Sequence, residues 1–361
     1  MQLTADDAPA LVRGAELFGS GGGGDAGSGG LIFRRLVGSD HRSPGVELLD
    51  PWTAPEDLLV SPVGLVGAIS VFTEQLPGGQ EFTGALESVQ RWSGRRADAL
   101  ASIEAAGLNG VTALVTAAQT GLPVVDVDLC GRALPRLDQF SLAVAGLAMT
   151  PLCLALPSGQ VVLVDGGDPA ATERSVRAVL ASSGGWAAIA VAPLPLSRLL
   201  TASTPDTTRR CLEVGRRLTA LPDTPAPAAL AVATGGRVLA VGRVVDVSRY
   251  RESGAGRFGR GSVTVRDRAT SALLRVEMEN EYLVAFEDGA PVASTPDILA
   301  LLERRSAQSV SCERVRRGDD VVVLQVPSPP FWCEPGHLAA VSPRSFGFDL
   351  DPVLMDPVLM D

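Results

Sequence analysis

The chain has 361 residues, of which 46% are hydrophobic and 20% charged, and its formal net charge is -10. This composition supplies a sizeable core, argues against global disorder and disfavours nucleic-acid binding, which normally requires a basic face. The sequence contains no Lys, so a P-loop lysine, a Schiff-base lysine and a lysine general base are excluded.

The cysteines and the hydrophobic runs indicate the cellular compartment. Five Cys are widely spaced without any C-x-x-C, which favours buried thiols over a disulfide framework or a Cys-rich zinc site. The acidic start "MQLTADDAPA" is unlike a signal peptide, and no apolar run reaches the roughly 18 residues of a membrane span. We therefore expect a cytoplasmic protein that binds neither membrane nor nucleic acid.

The first half of the chain alternates predicted helices and strands. Residues 4–18 read as a helix that starts at Thr4 and ends at a glycine loop. The segments "GLIFRRLVG" and "LLVSPVGLVGAIS" are typical of strands. Residues 95–106 and 109–121 are predicted to be helical, and "LPVVDVDLCG" to be a short buried strand.

The second half becomes rich in strands. Helices predicted over 168–184 and 204–218 flank the strand "WAAIAVAPL", and strands separated by short turns follow residue 227. We predict two domains, with an overall fold class between α/β and α+β. Residues 5–165 form an N-terminal α/β domain with a mixed sheet, and residues 166–350 form a mainly β C-terminal domain. The repeated "DPVLM" predicts a disordered tail over 351–361.

The glycine run Gly21, Gly22, Gly23 and Gly24, followed by Asp25, is the first candidate site. With Gly19 it fits G-x-G-x-x-G, but it follows a helix and precedes a predicted strand, which disfavours a nucleotide site. A loop that lets a ligand approach the backbone is favoured. Asp25 then orients a substrate N–H, holds a metal, or only caps a turn.

A second candidate is "VVDVDLCGR". Asp126 and Asp128 are two residues apart on a predicted strand, so they share a face, and Arg132 follows four residues later. Acids near the carboxyl end of a buried strand lie where open α/β sheets bind ligands. The alternative is a structural Asp–Arg cluster at the end of the strand.

Other polar residues leave further alternatives open. Glu74 precedes a turn, and the strand pattern of "MENEYL" places Glu279 and Glu281 on one face and Asn280 on the other, as a site or an edge strand. His41 and His337 are the only histidines, which excludes a multi-His zinc site. The cofactor is therefore unknown; a divalent metal held by carboxylates stays open.

Seven segments occur in the order of a known family: "GAELFGSGGGGDAGSG", "GLPVVDVDLCGRALPRLDQFSL", "MTPLCLA", "GRVVDV", "MENEYLVAF", "PDILALL" and "SPRSFGFD". In these motifs the chain resembles the DUF917 family, described as S-methyl-thiohydantoin desulfurase-like and often associated with hydantoinases. The resemblance covers roughly residues 5 to 350. It departs from the usual pattern at two positions. The glycine run is commonly followed by Asp-Pro, but here Asp25 is followed by Ala26, and the second motif commonly ends in Glu, where this chain has Arg136.

The resemblance implies a hydrolase that acts on a small-molecule substrate with a hydantoin-type ring. The positions that match the family motifs are Gly21 to Gly24, Asp25, Asp126, Asp128, Arg132, Asn280 and Glu281. From the chemistry of these side chains, we expect Asp126, Asp128 and Arg132 to be catalytic and the others to bind substrate together with Glu74. We expect a homo-oligomer, with a hydantoinase-type subunit as a candidate partner. The alternative is a non-catalytic ligand-binding or accessory subunit of a hydantoinase-type complex.

Overall fold

The computed structural model describes residues 1–38, 45–68, 72, 74, 75, 77–250 and 259–355. Its helices are Ala8–Phe18 (α1), Ala26–Gly38 (α2), Glu81–Ser93 (α3), Asn109–Thr120 (α4), Ser141–Val144 (α5), Pro169–Ser182 (α6), Leu196–Leu200 (α7), Thr207–Thr219 (α8), Pro227–Thr234 (α9) and Pro335–Val341 (α10). Within these described ranges, no helix has both the length and the hydropathy needed to cross a membrane.

The larger of the two sheets is mixed. Its strands are Gln2–Leu3 (β1), Val46–Leu49 (β2), Leu59–Gly67 (β3), Ala99–Ser102 (β4), Val124–Asp128 (β5), Leu152–Ala155 (β6), Val161–Val164 (β7), Trp186–Val191 (β8), Leu194–Pro195 (β9) and Thr204–Pro205 (β10). The main order is β1-β2-β5-β4-β3-β8-β6-β7. Strands β2, β5, β4 and β3 run parallel, and β8 joins β3 to β6 in antiparallel fashion.

The smaller sheet is antiparallel throughout. Its strands are Arg237–Tyr250 (β11), Arg260–Asp267 (β12), Leu273–Glu279 (β13), Glu281–Glu287 (β14), Ala290–Ser294 (β15), Ile298–Glu303 (β16) and Asp320–Val326 (β17). They are ordered β15-β14-β13-β12-β11-β17-β16. The predicted fold class is confirmed: helices around a mixed sheet come first, and a mainly β part follows.

The larger sheet extends past the domain boundary that the sequence suggested at residue 165. Strand β8 lies between β3 and β6, because its backbone pairs with both of them. Helix α8 packs on α1, where an added Cβ on Gly14 would lie 1.9 Å from the carbonyl oxygen of Cys211. Strand β8 and helix α8, which both lie within residues 166–219, therefore belong to the larger sheet and to the helices that pack around it.

Two segments differ from the sequence prediction. The segment 30–38, predicted as a strand, belongs to α2, where Phe33 and Val37 are buried four residues apart on one helical face. The segment 95–106, predicted as a helix, contains β4, whose backbone pairs with β3 and β5. Pairing inside the sheet outweighs the helix propensity of its alanines.

The C-terminal residues also differ from the prediction of a disordered tail. The Val353 N–H donates to Ser294 Oγ at 2.8 Å, and the Met355 N–H donates to Asp297 Oδ2 at 2.7 Å. These bonds fix the segment 351–355 to the smaller sheet. The rest of the predicted tail, residues 356–361, lies outside the described residues.

Candidate functional site

An inner cavity of about 70 Å³ lies at the carboxyl ends of the parallel strands β3 and β4. This is the edge at which open α/β sheets bind their ligands. The polar residues that line it include Gly24, Asp25, Glu104, Asn109, Asn280 and Glu281. The smaller sheet contributes the last two of these, so the cavity lies between the two sheets.

The glycine loop forms one wall of this cavity. Residues 19–25 connect α1 to α2, and Gly21, Gly23 and Gly24 all have positive φ, which glycine adopts without strain. A Cβ on Gly22 would lie 2.4 Å from Glu281 Oε1, so only glycine allows this approach. The loop opens a helix rather than the predicted strand, but helix α1 still precedes it, unlike a dinucleotide fingerprint.

Hydrogen bonds hold the glycine loop against the smaller sheet. Ser20 Oγ donates to the carbonyl oxygens of Tyr282 and Leu299, and the Gly21 carbonyl accepts from the Cys312 N–H. In the part of the chain that the structure describes, the N–H groups of Gly23 and Gly24 have no acceptor. These two groups are therefore free to donate to a ligand.

Two buried carboxyl groups lie in the wall of the inner cavity. Glu104 is 5% exposed and follows β4, whereas Glu281 is 1% exposed and begins β14. Burial raises the pKa of Glu104 well above its usual range, and the nearby carboxylates of Glu281 and Asp128 raise it further. Burial raises the pKa of Glu281 to about 8, although Arg132 and Asn280 oppose this shift.

Asn280 forms the reversal between β13 and β14. The strand prediction over "MENEYL" is wrong at this point, because Glu279 pairs with Glu281 across a hairpin and Asn280 has φ 64°. Asn280 Nδ2 donates to Glu281 Oε1 at 2.5 Å. Glu281 Oε2 is buried and has no hydrogen-bond partner among the described residues. One carboxylate oxygen of Glu281 is thus oriented, and the other is available.

An outer cavity of about 450 Å³ adjoins the inner one. Gly24, Asp25 and Asn280 line both cavities. Glu16 on α1 and the exposed Glu74 line the outer cavity only. The structure therefore brings together every predicted substrate-binding residue along two adjoining cavities.

Comparison with models of known protein families shows which family the chain belongs to. The model of the S-Me-THD-like N-terminal domain matches residues 6–166, and that of the S-Me-THD-like C-terminal domain matches residues 167–355. The chain belongs to the S-Me-THD-like family. This family assignment confirms the resemblance seen in the sequence motifs.

The fold of this S-Me-THD-like protein resembles one that has been solved. The X-ray structure of a protein from Chromobacterium violaceum, a structural genomics target, is 22% identical to it, with a TM-score of 0.78. The match covers 99% of this chain and 100% of that chain. At this identity the likeness shows the fold alone. A comparison with curated proteins gave no match.

The acids predicted to be catalytic in this S-Me-THD-like protein face backbone amides. Asp126 accepts from the N–H groups of Thr208 and Arg209 at the start of α8. Asp128 accepts from the N–H groups of Ala105, Cys130 and Gly131. Burial raises the pKa of Asp126 to about 6 and that of Asp128 to about 7. Both are fully buried, and neither lines the inner or the outer cavity.

Arg132 is also fully buried and outside both cavities. Its guanidinium donates to Thr295 Oγ1 and to the carbonyl oxygens of Pro296 and Asp297 in the smaller sheet region. Its hydrogen-bonding capacity is thus used to join the two parts of the S-Me-THD-like fold. Its positive charge still favours the ionised form of Glu281.

Sequence reasoning missed Glu104, Glu16 and Asn109. The sequence prediction places Glu104 in a helix, although it follows a strand of the parallel sheet. The signal in the sequence is an acidic residue two positions after "ALAS", and it becomes informative only once that segment is recognised as β4. Asn109 bonds to the backbone N–H and carbonyl of Leu65 and so fixes α4 to β3.

The described residues form no preformed metal site. There, no group of three or more His, Cys, Asp or Glu side chains is arranged to hold an ion. Cys130, which follows β5, is buried, and burial raises the pKa of its thiol well above the usual range. This environment keeps the thiol protonated and disfavours nucleophilic attack by it.

Proposed function

We propose that this protein is a hydrolase of hydantoin-type rings that releases methanethiol from an S-methyl thiohydantoin. The observation that carries the proposal is the pair Glu104 and Glu281, two buried carboxyl groups that line the inner cavity next to the glycine loop. Two carboxyl groups that share a site titrate apart, so that one remains protonated while the other acts as a base. Family membership supports the choice of ring.

The reaction needs one base and stabilisation of the ring. Water attacks the ring carbon that carries the S-methyl group, the base accepts a proton from this water, and the C–S bond then breaks. Methanethiolate takes up a proton and leaves as methanethiol, and the ring carbon becomes a carbonyl. No oxidant or reductant is required, because this exchange of sulfur for oxygen is a hydrolysis.

The geometry favours Glu281 as the base. Its Oε2 has no partner among the described residues, while Asn280 holds its Oε1. Glu104, whose pKa is raised well above its usual range by burial and by nearby carboxylates, stays protonated and supplies a proton to the leaving thiolate. The N–H groups of Gly23 and Gly24 hold a ring oxygen, as an oxyanion hole does. Asp126 and Asp128 then support the fold that carries this pair.

Turnover of 5-substituted S-methyl thiohydantoins tests this proposal, with methanethiol measured by gas chromatography. Glu281→Gln and Glu104→Gln should each lower kcat by about a hundredfold or more, the usual contribution of general acid–base catalysis. Glu87→Gln, an exposed change on α3 outside both cavities, should leave kcat unchanged. Since the base must be ionised, wild-type kcat/KM should rise with pH up to about 8.

Two results would contradict the proposal. If both Gln variants keep kcat within about threefold of wild type, these carboxyl groups are not the acid and base. If the wild-type protein binds hydantoins without releasing methanethiol from any ring tested, a non-catalytic ligand-binding role replaces the hydrolase.

A further inference from the structure

The outer cavity has an acidic floor and a mixed rim. Glu16 and Asp25 are half-buried at its inner end, next to the glycine loop, whereas Glu313, Arg314 and Tyr250 are exposed at its mouth. Its volume of about 450 Å³ is several times the 70 Å³ of the inner cavity. A ring held beside Glu281 therefore has space for a long substituent in one direction, past Asn280.

Among the described residues, no cation is hydrogen-bonded to the acidic floor formed by Glu16 and Asp25. Within the described residues, the Glu16 carboxylate accepts no hydrogen bond, and burial together with Asp25 raises its pKa to about 7, although Arg314 and Arg13 oppose this. Arg249, which also lines the cavity, donates instead to the carbonyl oxygens of Cys312, Glu313 and Val315.

Two other basic residues nearby already bond to other groups, whereas Arg314 is exposed at the mouth of the cavity. Arg260 forms an ion pair with Glu279 at 2.8 Å, and Arg13 donates to the carbonyl oxygen of Ser306. A cationic group that enters the cavity can therefore reach Glu16 and Asp25 without displacing an existing ion pair at the floor.

We infer that the outer cavity binds the ring substituent, and that the preferred substrate carries a long substituent ending in a cationic group such as a primary ammonium. The inference rests on the proposed function, because it places the ring in the inner cavity. The junction supports it: Gly24, Asp25 and Asn280 line both cavities, and Asn280 directly precedes Glu281, whose Oε2 has no hydrogen-bond partner among the described residues. The ring end and the substituent end are thus recognised separately.

Calorimetric titration with three probes tests the inference: hydantoin, 5-pentylhydantoin and 5-(4-aminobutyl)hydantoin. The last two match in length and differ in charge. We expect both to bind more tightly than hydantoin, and the aminobutyl probe to bind about tenfold more tightly than the pentyl probe at low salt. Equal affinity for the last two would overturn the cationic preference.

Two variants assign the effect to the cavity. Glu16→Gln should remove most of the aminobutyl preference, and Glu87→Gln, which removes an exposed charge elsewhere, should retain it. Ser309→Phe should fill the cavity and weaken both long probes about tenfold or more, while affinity for hydantoin stays unchanged. Unchanged affinity for the long probes in Ser309→Phe would overturn the subsite.

Failure of the proposed function would give a different result. If none of the three rings binds, the ring assignment is wrong, and pentylammonium alone then tests the cavity against pentanol. Preference for pentylammonium that is lost in Glu16→Gln would support the cation subsite. No preference at millimolar concentration would overturn it.

Discussion

Asp126 shows how one carboxylate pattern can serve either chemistry or architecture. Its spacing from Asp128 predicts a pair of acids on one face of a strand, and the structure does place both on the buried strand β5. However, each carboxylate already accepts hydrogen bonds from backbone N–H groups. A carboxylate in that position anchors the start of a helix or loop, which is a contribution to stability.

Asp126→Asn should therefore affect stability rather than catalysis. The amide has one acceptor oxygen, whereas the native carboxylate accepts from the Thr208 N–H with one oxygen and from the Arg209 N–H with the other, so we expect unfolding to be easier by about 1–3 kcal/mol. Urea denaturation measures this loss, and kcat per folded molecule should stay within about threefold of wild type. Unchanged stability together with a roughly hundredfold slower turnover would make Asp126 the base instead.

At the scale of elements, the glycine loop is the part of the site most sensitive to shape. Gly22 has no positive φ, so replacing it with Ala acts through volume alone. The new Cβ would overlap Glu281 Oε1 and move the carboxylate that we assign as the base. Gly22→Ala should lower kcat/KM by about tenfold or more, since small displacements of catalytic groups are costly.

Gly84→Ala is the matched control for this change. Gly84 lies in α3, where an added Cβ would meet only Ala155 at 3.9 Å, an ordinary contact. Activity should be retained and the unfolding free energy should rise by about 0.5–1 kcal/mol, because Ala favours a helix over Gly. If Gly22→Ala is as active as Gly84→Ala, close approach of the loop to Glu281 is not needed.

Some helices and strands can be predicted from the sequence and others cannot. Strand β5 and helices α4, α6 and α8 are predictable because periodicity and bounding turn residues agree there. Strand β4 is missed because "ALAS" has helix-forming alanines and only sheet pairing makes it extended. That error hides Glu104. The hairpin at Asn280 is missed because a single-residue reversal lacks the usual turn pair.

At the scale of the whole molecule, the boundary between the two family models does not coincide with a structural division. The models meet between residues 166 and 167, yet β8 lies in the middle of the larger sheet. A fragment that ends at residue 166 would lose both α8, which covers α1, and the strand between β3 and β6. Its Arg132 would also lose the acceptors in the segment 295–297.

We expect that fragment to be unstable on its own. Circular dichroism and size-exclusion chromatography should show an unfolded or aggregated species, whereas the full chain should unfold in one cooperative transition by calorimetry. The fragment 1–219, which retains β8 and α8, is the control for the missing sheet strand, and it should be more structured. A soluble, cooperatively folded fragment 1–166 would contradict this view.

The central position of β8 has a consequence for synthesis on the ribosome. Strands β3 and β6 emerge before their shared neighbour, and each shows an unpaired edge until residue 191 has left the exit tunnel. Unpaired edges invite pairing with other nascent chains. At about 5–20 residues per second, the interval between residue 155 and residue 191 lasts a few seconds. Chaperone demand for this protein should therefore be highest while that segment is being translated.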